Sequence, residues 1–295
     1  MVVYVNGEFV PEEHAKVSVF DRGFLYGDAC FETLRVYDGM PGFWKLHLKR
    51  LRRTLEFLKI SAPFDDRGLA VIVKRLIDMN DLPDAVLRIQ VTRGTGQRGY
   101  SCRSAIAPAL VVSVHPLTVT KGLSGEQTRY RVKTSRLRID SKSPLGTFKT
   151  GNKLLQILGK REAEEAGVEE VLLRTADGFV AEASAANVFW FEAETLLTPP
   201  LELGVLPGVT RQIVSELWRN AGRNFYETRA HPSQLQQSDG VILTQSVGEL
   251  ITVSELDGHP IPPHPAVAWL ASAYRTRARS TDFDVETNNS ENTDI

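Results

Sequence analysis

The sequence predicts a mixed α/β (α+β) chain built in two parts, and three observations predict it. Short runs of β-branched and aromatic residues, several closed by Asn-Gly or Asp-Gly pairs, alternate with amphipathic helical stretches along most of the chain. A polar stretch, TVTKGLSGEQT (118–128), interrupts that alternation and reads as a linker. The length, 295 residues, suffices for two domains with a core each. The expected division is a smaller α/β domain over 1–117, a linker over 118–128, a larger α/β domain over 129–279 and a tail over 280–295.

Residues 2–10, VVYVNGEFV, read as a hairpin in which Asn6-Gly7 supplies the positive φ angles of a tight turn. CFETLRVY (30–37) is the next strand, and Asp38-Gly39 closes a second hairpin. From Lys45, KLHLKRLRRTLEFLKI places Leu46, Leu51, Leu55 and Leu58 on one side of a helix, with His47 and Arg50 one turn apart. A second amphipathic helix covers 67–80, followed by strands at 85–92 and 109–117. Between those strands Gly94, Gly96 and Gly99 spell G-x-G-x-x-G, the dinucleotide fingerprint, but no helix opens behind them, so they shape a loop instead.

After the linker come the strand YRVKTSRL, a loop and helix around Lys149, and EEVLLRTADGFVAEASAANVFWFE, read as two strands about an Asp177-Gly178 turn. A helix opens at about Thr210, VILTQSVGEL (241–250) reads as one strand, and 265–279 as a final amphipathic helix. From Ser280 onward five acidic residues stand with no basic one and little to bury, which predicts a disordered acidic tail.

Thirty-five basic residues against 36 acidic give a net charge of -1, which offers no field for nucleic acid or a membrane surface. Cys30 and Cys102 are too few and too far apart for a disulfide scaffold or a structural metal, and imply a reducing cytoplasm. The amino terminus shows neither a signal peptide nor a membrane span.

Lys149 sits in SPLGTFKTGNKLLQILG (143–159), where a loop feeds a helix whose apolar face is expected to hold Leu154, Leu155, Ile157 and Leu158. A helix N-terminus together with burial would lower its pKa toward what Schiff-base chemistry needs; the plain alternative is a solvated lysine. GVTR (208–211) offers backbone N–H groups and the Thr210 hydroxyl at a helix start, suited to a phosphate or simply to an ordinary cap.

Five motifs in order, D-R-G-x-x-Y-G-D (21–28), H-x-x-R-L (47–51), K-x-x-N (149–152), E-A-S-A-A-N (182–187) and L-P-G-V-T-R (206–211), resemble those of the fold-type IV pyridoxal-phosphate enzymes, the class IV aminotransferase family. The resemblance runs from about residue 3 to 275. It implies that Lys149 bonds covalently to pyridoxal 5'-phosphate and later moves protons, and that Glu182 faces the pyridine nitrogen. It further implies that Arg50, Val209, Thr210 and Ser246 hold the phosphate and that Asn187 belongs to the cofactor site. Family members work as homodimers in which one subunit reaches the other's site, so the implied partners are a second copy and a small-molecule substrate.

Within the family, branched-chain enzymes carry K-x-G-G-N-Y after the lysine, whereas this chain has KTGNKL, leaving the contact to the cofactor's 3-hydroxyl open. D-amino-acid aminotransferases hold the substrate carboxylate with a tyrosine, an arginine and a histidine; the matching residues here are Phe31, Arg98 and Tyr100. RGTGQRGYS (93–101) and AANVFW (185–190) are most similar to 4-amino-4-deoxychorismate lyase, with Arg98 and Tyr100 as the implied carboxylate holders. The expectation is therefore that lyase, and the alternative is an aminotransferase for D- or branched-chain amino acids.

Overall fold

A computed structural model describes residues 1–117, 128–280 and Phe283. Asn6 and Gly7, with φ of 48° and 107°, turn β1 (Val2–Val5) back on β2 (Glu8–Pro11). A short helix, α1 (Arg22–Tyr26), leads into β3 (Ala29–Tyr37), and Asp38-Gly39 turns it onto β4 (Met40–Pro41). Two helices, α2 (Trp44–Leu58) and α3 (Asp66–Asn80), precede β5 (Ala85–Thr92) and β6 (Ala109–Pro116). These strands form one antiparallel sheet in the order β2-β1-β6-β5-β3-β4.

Strand alternation assigns the two faces of this sheet different tasks. Leu34, Val36, Leu87, Ile89, Val112 and Val114 point at Leu48, Leu51, Leu55, Leu69, Val73 and Leu76 of α2 and α3 and make the first core. Glu32 shares the α2 side of β3 with Leu34 and Val36, while Phe31, Thr33 and Arg35 point the other way.

The second sheet is built from β7 (Arg129–Ile139), β8 (Glu170–Thr175), β9 (Val180–Ala183), β10 (Asn187–Glu192), β11 (Thr195–Thr198), β12 (Phe225–Glu227), β13 (Gly240–Gln245), β14 (Glu249–Leu256) and β15 (His259–Pro260). Its order is β12-β11-β10-β13-β14-β7-β8-β9, with β15 on β14. Helices α4 (Leu154–Glu165), α5 (Val209–Asn220), α6 (Pro232–Gln236) and α7 (Ala266–Arg279) accompany it. One face carries α5 and α7 over Phe189, Phe191, Trp218, Leu270 and Tyr274, and the other buries Trp190, Leu243, Val253 and Leu235. The buried carboxylate of Glu249 ties the sheets together, accepting from Arg35 and from the Tyr37 hydroxyl at 3.0 Å each.

Several expected elements come out differently. VILTQSVGEL is a hairpin: β13 and β14 are antiparallel neighbours, and the residues between them turn at Ser246. E-A-S-A-A-N spans the bend between two strands, with Glu182 in β9 and Asn187 in β10. Helix α4 starts at Leu154 and leaves Leu154 and Ile157 exposed, so their spacing marks an outward apolar strip rather than a core face. The stretch expected as a linker lies, over 118–127, outside the described residues. So does most of the expected tail, but Phe283 is buried and packs edge-on against Trp44, 5.1 Å between centroids, contrary to a segment with little to bury.

Gly94 has φ 78°, and a Cβ there would lie 1.9 Å from the Ala107 carbonyl oxygen, so the β5–β6 loop closes only around a residue without a side chain. Gly94→Ala is expected to cost on the order of 1–3 kcal/mol in unfolding free energy, measured by urea denaturation, and to loosen the loop to proteolysis.

A candidate active site between the two sheets

A cavity of about 540 Å³ opens between the sheets, walled by Phe31 and Thr33 of β3, Arg50 of α2, the loop and first turn around Lys149, Glu182 to Asn187, the start of α5 and the β13–β14 turn. Its walls come from four of the five sequence motifs, while D-R-G-x-x-Y-G-D acts from behind. Asn152 donates to the Gly27 carbonyl at 3.2 Å, Gly151 donates to the Ala29 carbonyl at 2.6 Å, and the Phe31 N–H donates to the Lys149 carbonyl at 3.1 Å. The lysine loop is thereby stitched to the start of β3.

The Lys149 amine rests 4.6 Å from the Phe31 ring centroid. Burial, and next the Arg50 guanidinium, push its pKa down to about 8, with Glu32 and Glu182 pulling the other way. The sequence points to a helix N-terminus as part of the cause; α4 begins only at Leu154, so burial and Arg50 act in its place.

Arg50 is aimed by a residue the sequence reading passed over. Glu32 is fully buried and accepts from Arg50 Nε and Nη2, both at 2.7 Å, and from His47 Nδ1 at 2.8 Å. Burial alone would raise its pKa, but Arg50 and His47 hold it far below the usual carboxylate range. This gives H-x-x-R its spacing: both side chains leave one face of α2 toward one carboxylate. His47 Nε2 lies 3.4 Å from the Ser246 hydroxyl.

Across the cavity Glu182 accepts from the Leu206 N–H at 3.0 Å and from Asn187 Nδ2 at 3.5 Å. Burial raises its pKa to about 7, so a cation placed against it would be needed to keep it fully ionised at neutral pH. Asn187 also donates to the Leu206 carbonyl at 2.9 Å, and a Cβ on Gly208 would lie 2.0 Å from its side-chain oxygen. No side chain caps α5, so its first N–H groups, at Val209 and Thr210, are left for another acceptor.

The structure brings Phe31, Arg50, Lys149, Glu182, Asn187, Val209, Thr210 and Ser246 to this one cavity. It does not bring Arg98 and Tyr100 there: both are exposed, Tyr100 at 89%. Their loop is held by buried Arg22, which donates to the Gly99, Tyr100 and Ser101 carbonyls and pairs with Asp28. The sequence reading missed Glu32, Thr244 and Lys153, all at or behind the cavity wall. Only a charged residue at Glu32, on the strand face it shares with Leu34 and Val36, could have signalled it.

A two-sheet chain with a half-buried lysine and a carboxylate lining one cavity, and an uncapped helix start beside an arginine, is the framework of a cofactor-dependent enzyme. The chain belongs to the class IV amino-transferase family, whose profile matches residues 29–256. It is 35% identical over 261 residues to a putative branched-chain-amino-acid aminotransferase of Methanocaldococcus jannaschii, covering 88% of this chain and 90% of that one. It is 31% identical over 260 residues to the aminodeoxychorismate lyase of Bacillus subtilis, covering 87% of each. Among solved structures, the T.th. branched-chain amino acid aminotransferase with pyridoxamine 5'-phosphate superposes with a TM-score of 0.86 at 26% identity, covering 95% of both chains. The chain is thus a pyridoxal-phosphate-dependent enzyme.

The cavity fits that cofactor. The free N–H groups of α5 and the arginine make one end suitable for a phosphate, and Glu182 makes the other suitable for a protonated ring nitrogen. Buried Thr244, whose hydroxyl lacks a partner among the described residues, lines the space between. Because only the neutral amine attacks an aldehyde, capture of pyridoxal 5'-phosphate by the apoenzyme is expected to quicken as pH rises through about 8 and to level off above it. Stopped-flow absorbance across that range checks this; a rate already flat from pH 6 upward would contradict it.

Proposed function

We propose that the enzyme is a lyase converting 4-amino-4-deoxychorismate to 4-aminobenzoate and pyruvate, a step of folate biosynthesis, in the cytoplasm. The observation that carries this reading is the β5–β6 loop. Its sequence RGTGQRGYS is that of the lyase resemblance, and Arg22 clamps its backbone while Arg98 and Tyr100 stand exposed, available to bind a carboxylate. The similarity to the Bacillus subtilis lyase supports it.

Pyridoxal phosphate supplies an electron-accepting ring that stabilises negative charge on the carbon next to the substrate nitrogen. The chain's own residues do the rest. Arg50, the N–H groups of Val209 and Thr210, and the Ser246 hydroxyl hold the phosphate. Glu182, oriented by the Leu206 N–H and Asn187, holds the proton on the ring nitrogen. The Lys149 amine, its pKa lowered to about 8 so that a fraction is neutral at physiological pH, takes the proton from the carbon that bears the nitrogen. Loss of that proton and departure of the enolpyruvyl oxygen leave an aromatic ring, and the released enol takes up a proton to become pyruvate.

Arg98 and Tyr100 cannot serve their own cavity from where they stand, so we infer a homodimer in which each loop serves the partner subunit. Exposed Phe20, Phe24 and Leu25, beside the loop's anchor at Arg22, suit such an apolar contact. A second reading, an aminotransferase in which Lys149 carries a proton from one carbon to another, is favoured by the 35% identity to the Methanocaldococcus jannaschii relative.

Purified holoenzyme given 4-amino-4-deoxychorismate is expected to release 4-aminobenzoate and pyruvate in equal amounts without any amino acceptor. Rapid amino transfer from D-alanine or L-leucine to 2-oxoglutarate with no aminobenzoate formed would establish the second reading instead. Mixing two inactive variants, Lys149→Ala and Arg98→Ala, under conditions of subunit exchange is expected to restore about a quarter of wild-type activity, because half of the random dimers are hybrids with one intact site. No recovery would place Arg98 in the same subunit's site.

A further inference from the structure

Lys153 lines the same cavity as Lys149. Its amine lies 6.0 Å from the Phe31 ring centroid against 4.6 Å for Lys149, so two amines converge on one ring. Their charged surroundings differ. Arg50 is the strongest charged neighbour of Lys149 and Glu182 that of Lys153, while Glu182 in turn senses Lys153 more than Lys149. All four groups line the one cavity.

Pyridoxal phosphate held with its phosphate arm at Arg50 and its ring nitrogen at Glu182 would present its aldehyde carbon to Lys149. The ring edge between that carbon and the nitrogen, away from the phosphate arm, carries the 3-hydroxyl, and its oxygen is acidic enough to bear negative charge. A buried oxyanion needs a donor. No tyrosine lines the cavity among the described residues. Lys153 stands at the N-cap of α4, where the helix dipole disfavours a lone positive charge and an anionic neighbour offsets it. Gln156, one turn on, lines the cavity with a buried carbonyl oxygen that has no partner, a ready acceptor for a second ammonium N–H.

We propose that Lys153 binds the cofactor's 3-hydroxyl oxygen as an ammonium donor and so sets the electronic state of the ring. This rests on the cofactor placement given above. The linkage between Lys149 and the cofactor carries a titratable proton beside that oxygen. It faces Arg50 from α2, with Glu32 and His47 behind it, Glu182 from β9 and Lys153 from the start of α4. A cation on the oxygen stabilises its anionic form and opposes the linkage proton, so it lowers the pH at which the bound chromophore changes colour.

The test is a spectrophotometric pH titration of wild-type holoenzyme, Lys153→Met, Lys153→Gln and Lys153→Arg. Both neutral variants are expected to titrate about one pH unit higher than wild type, and the arginine variant to return toward it. Reconstitution with 3-O-methylpyridoxal 5'-phosphate, which has no anionic oxygen there, is expected to close most of that gap. Coincident titrations of wild type and both neutral variants would overturn the proposal, as would a gap undiminished by the methylated cofactor. Those outcomes leave the cofactor reading intact. That reading fails separately if wild type develops no bound chromophore, or if Lys149→Ala binds the cofactor covalently as wild type does, and the proposal falls with it.

Discussion

The fully buried Glu32 carboxylate is the constraint on which the site depends. Three groups of an ionic cluster, Glu32, Arg50 and His47, lie under the first sheet, where an isolated charge would be costly. Bidentate pairing with Arg50 and the bond from His47 offset that cost, and removing one partner from such a cluster costs about 3–5 kcal/mol. Stability alone would be served as well by apolar residues packed in their place. What the cluster adds is direction: it fixes the Arg50 guanidinium at one end of the cavity and leaves Nη1 bonded to the Pro207 carbonyl at 3.1 Å, next to the start of α5. The positive potential there follows, and so does part of the lowered pKa of Lys149.

The alternation in β3 explains how one strand can do this and still shape the cavity. Odd residues Phe31, Thr33 and Arg35 face the second sheet; even residues Cys30, Glu32, Leu34 and Val36 face the helices. Glu32 therefore works from behind the wall that Phe31 forms in front. A shift of register by one residue would exchange those roles, so the β3–β5 pairing, with Phe31 opposite Gln90, keeps the site as well as the sheet.

Most of the fold was legible because its signals are local. The Asn6-Gly7 and Asp38-Gly39 turns, the two amphipathic helices before residue 81 and the strand at 85–92 need only nearby sequence. Errors fell where distant contacts decide. Nothing local says that Ser246 to Gly248 turn the chain back, that Leu154 and Ile157 face outward, or that Phe283 returns to Trp44 across more than two hundred residues. The site residues came from motif resemblance, which located the charged groups but not their partners. Glu32 stayed hidden because FETLR reads as an ordinary strand, and Lys153 because a lysine at a helix start reads as solvated.

D-R-G-x-x-Y-G-D shows why a motif can be specific without lining a cavity. Asp21 caps α1 and accepts from the Thr92 hydroxyl at 2.7 Å, Arg22 grips three carbonyls of the β5–β6 loop, Tyr26 accepts from the Gly99 N–H, and Gly27 receives Asn152. Asp28 binds both Arg22 and Arg93, with the two arginines lowering its pKa against the opposing effect of burial. Eight consecutive residues thus join the loop that carries Arg98 to the loop that carries Lys149. Loops without such anchors sample many conformations. Held from one short turn of helix, the two loops keep a fixed relation to each other and to the start of β3.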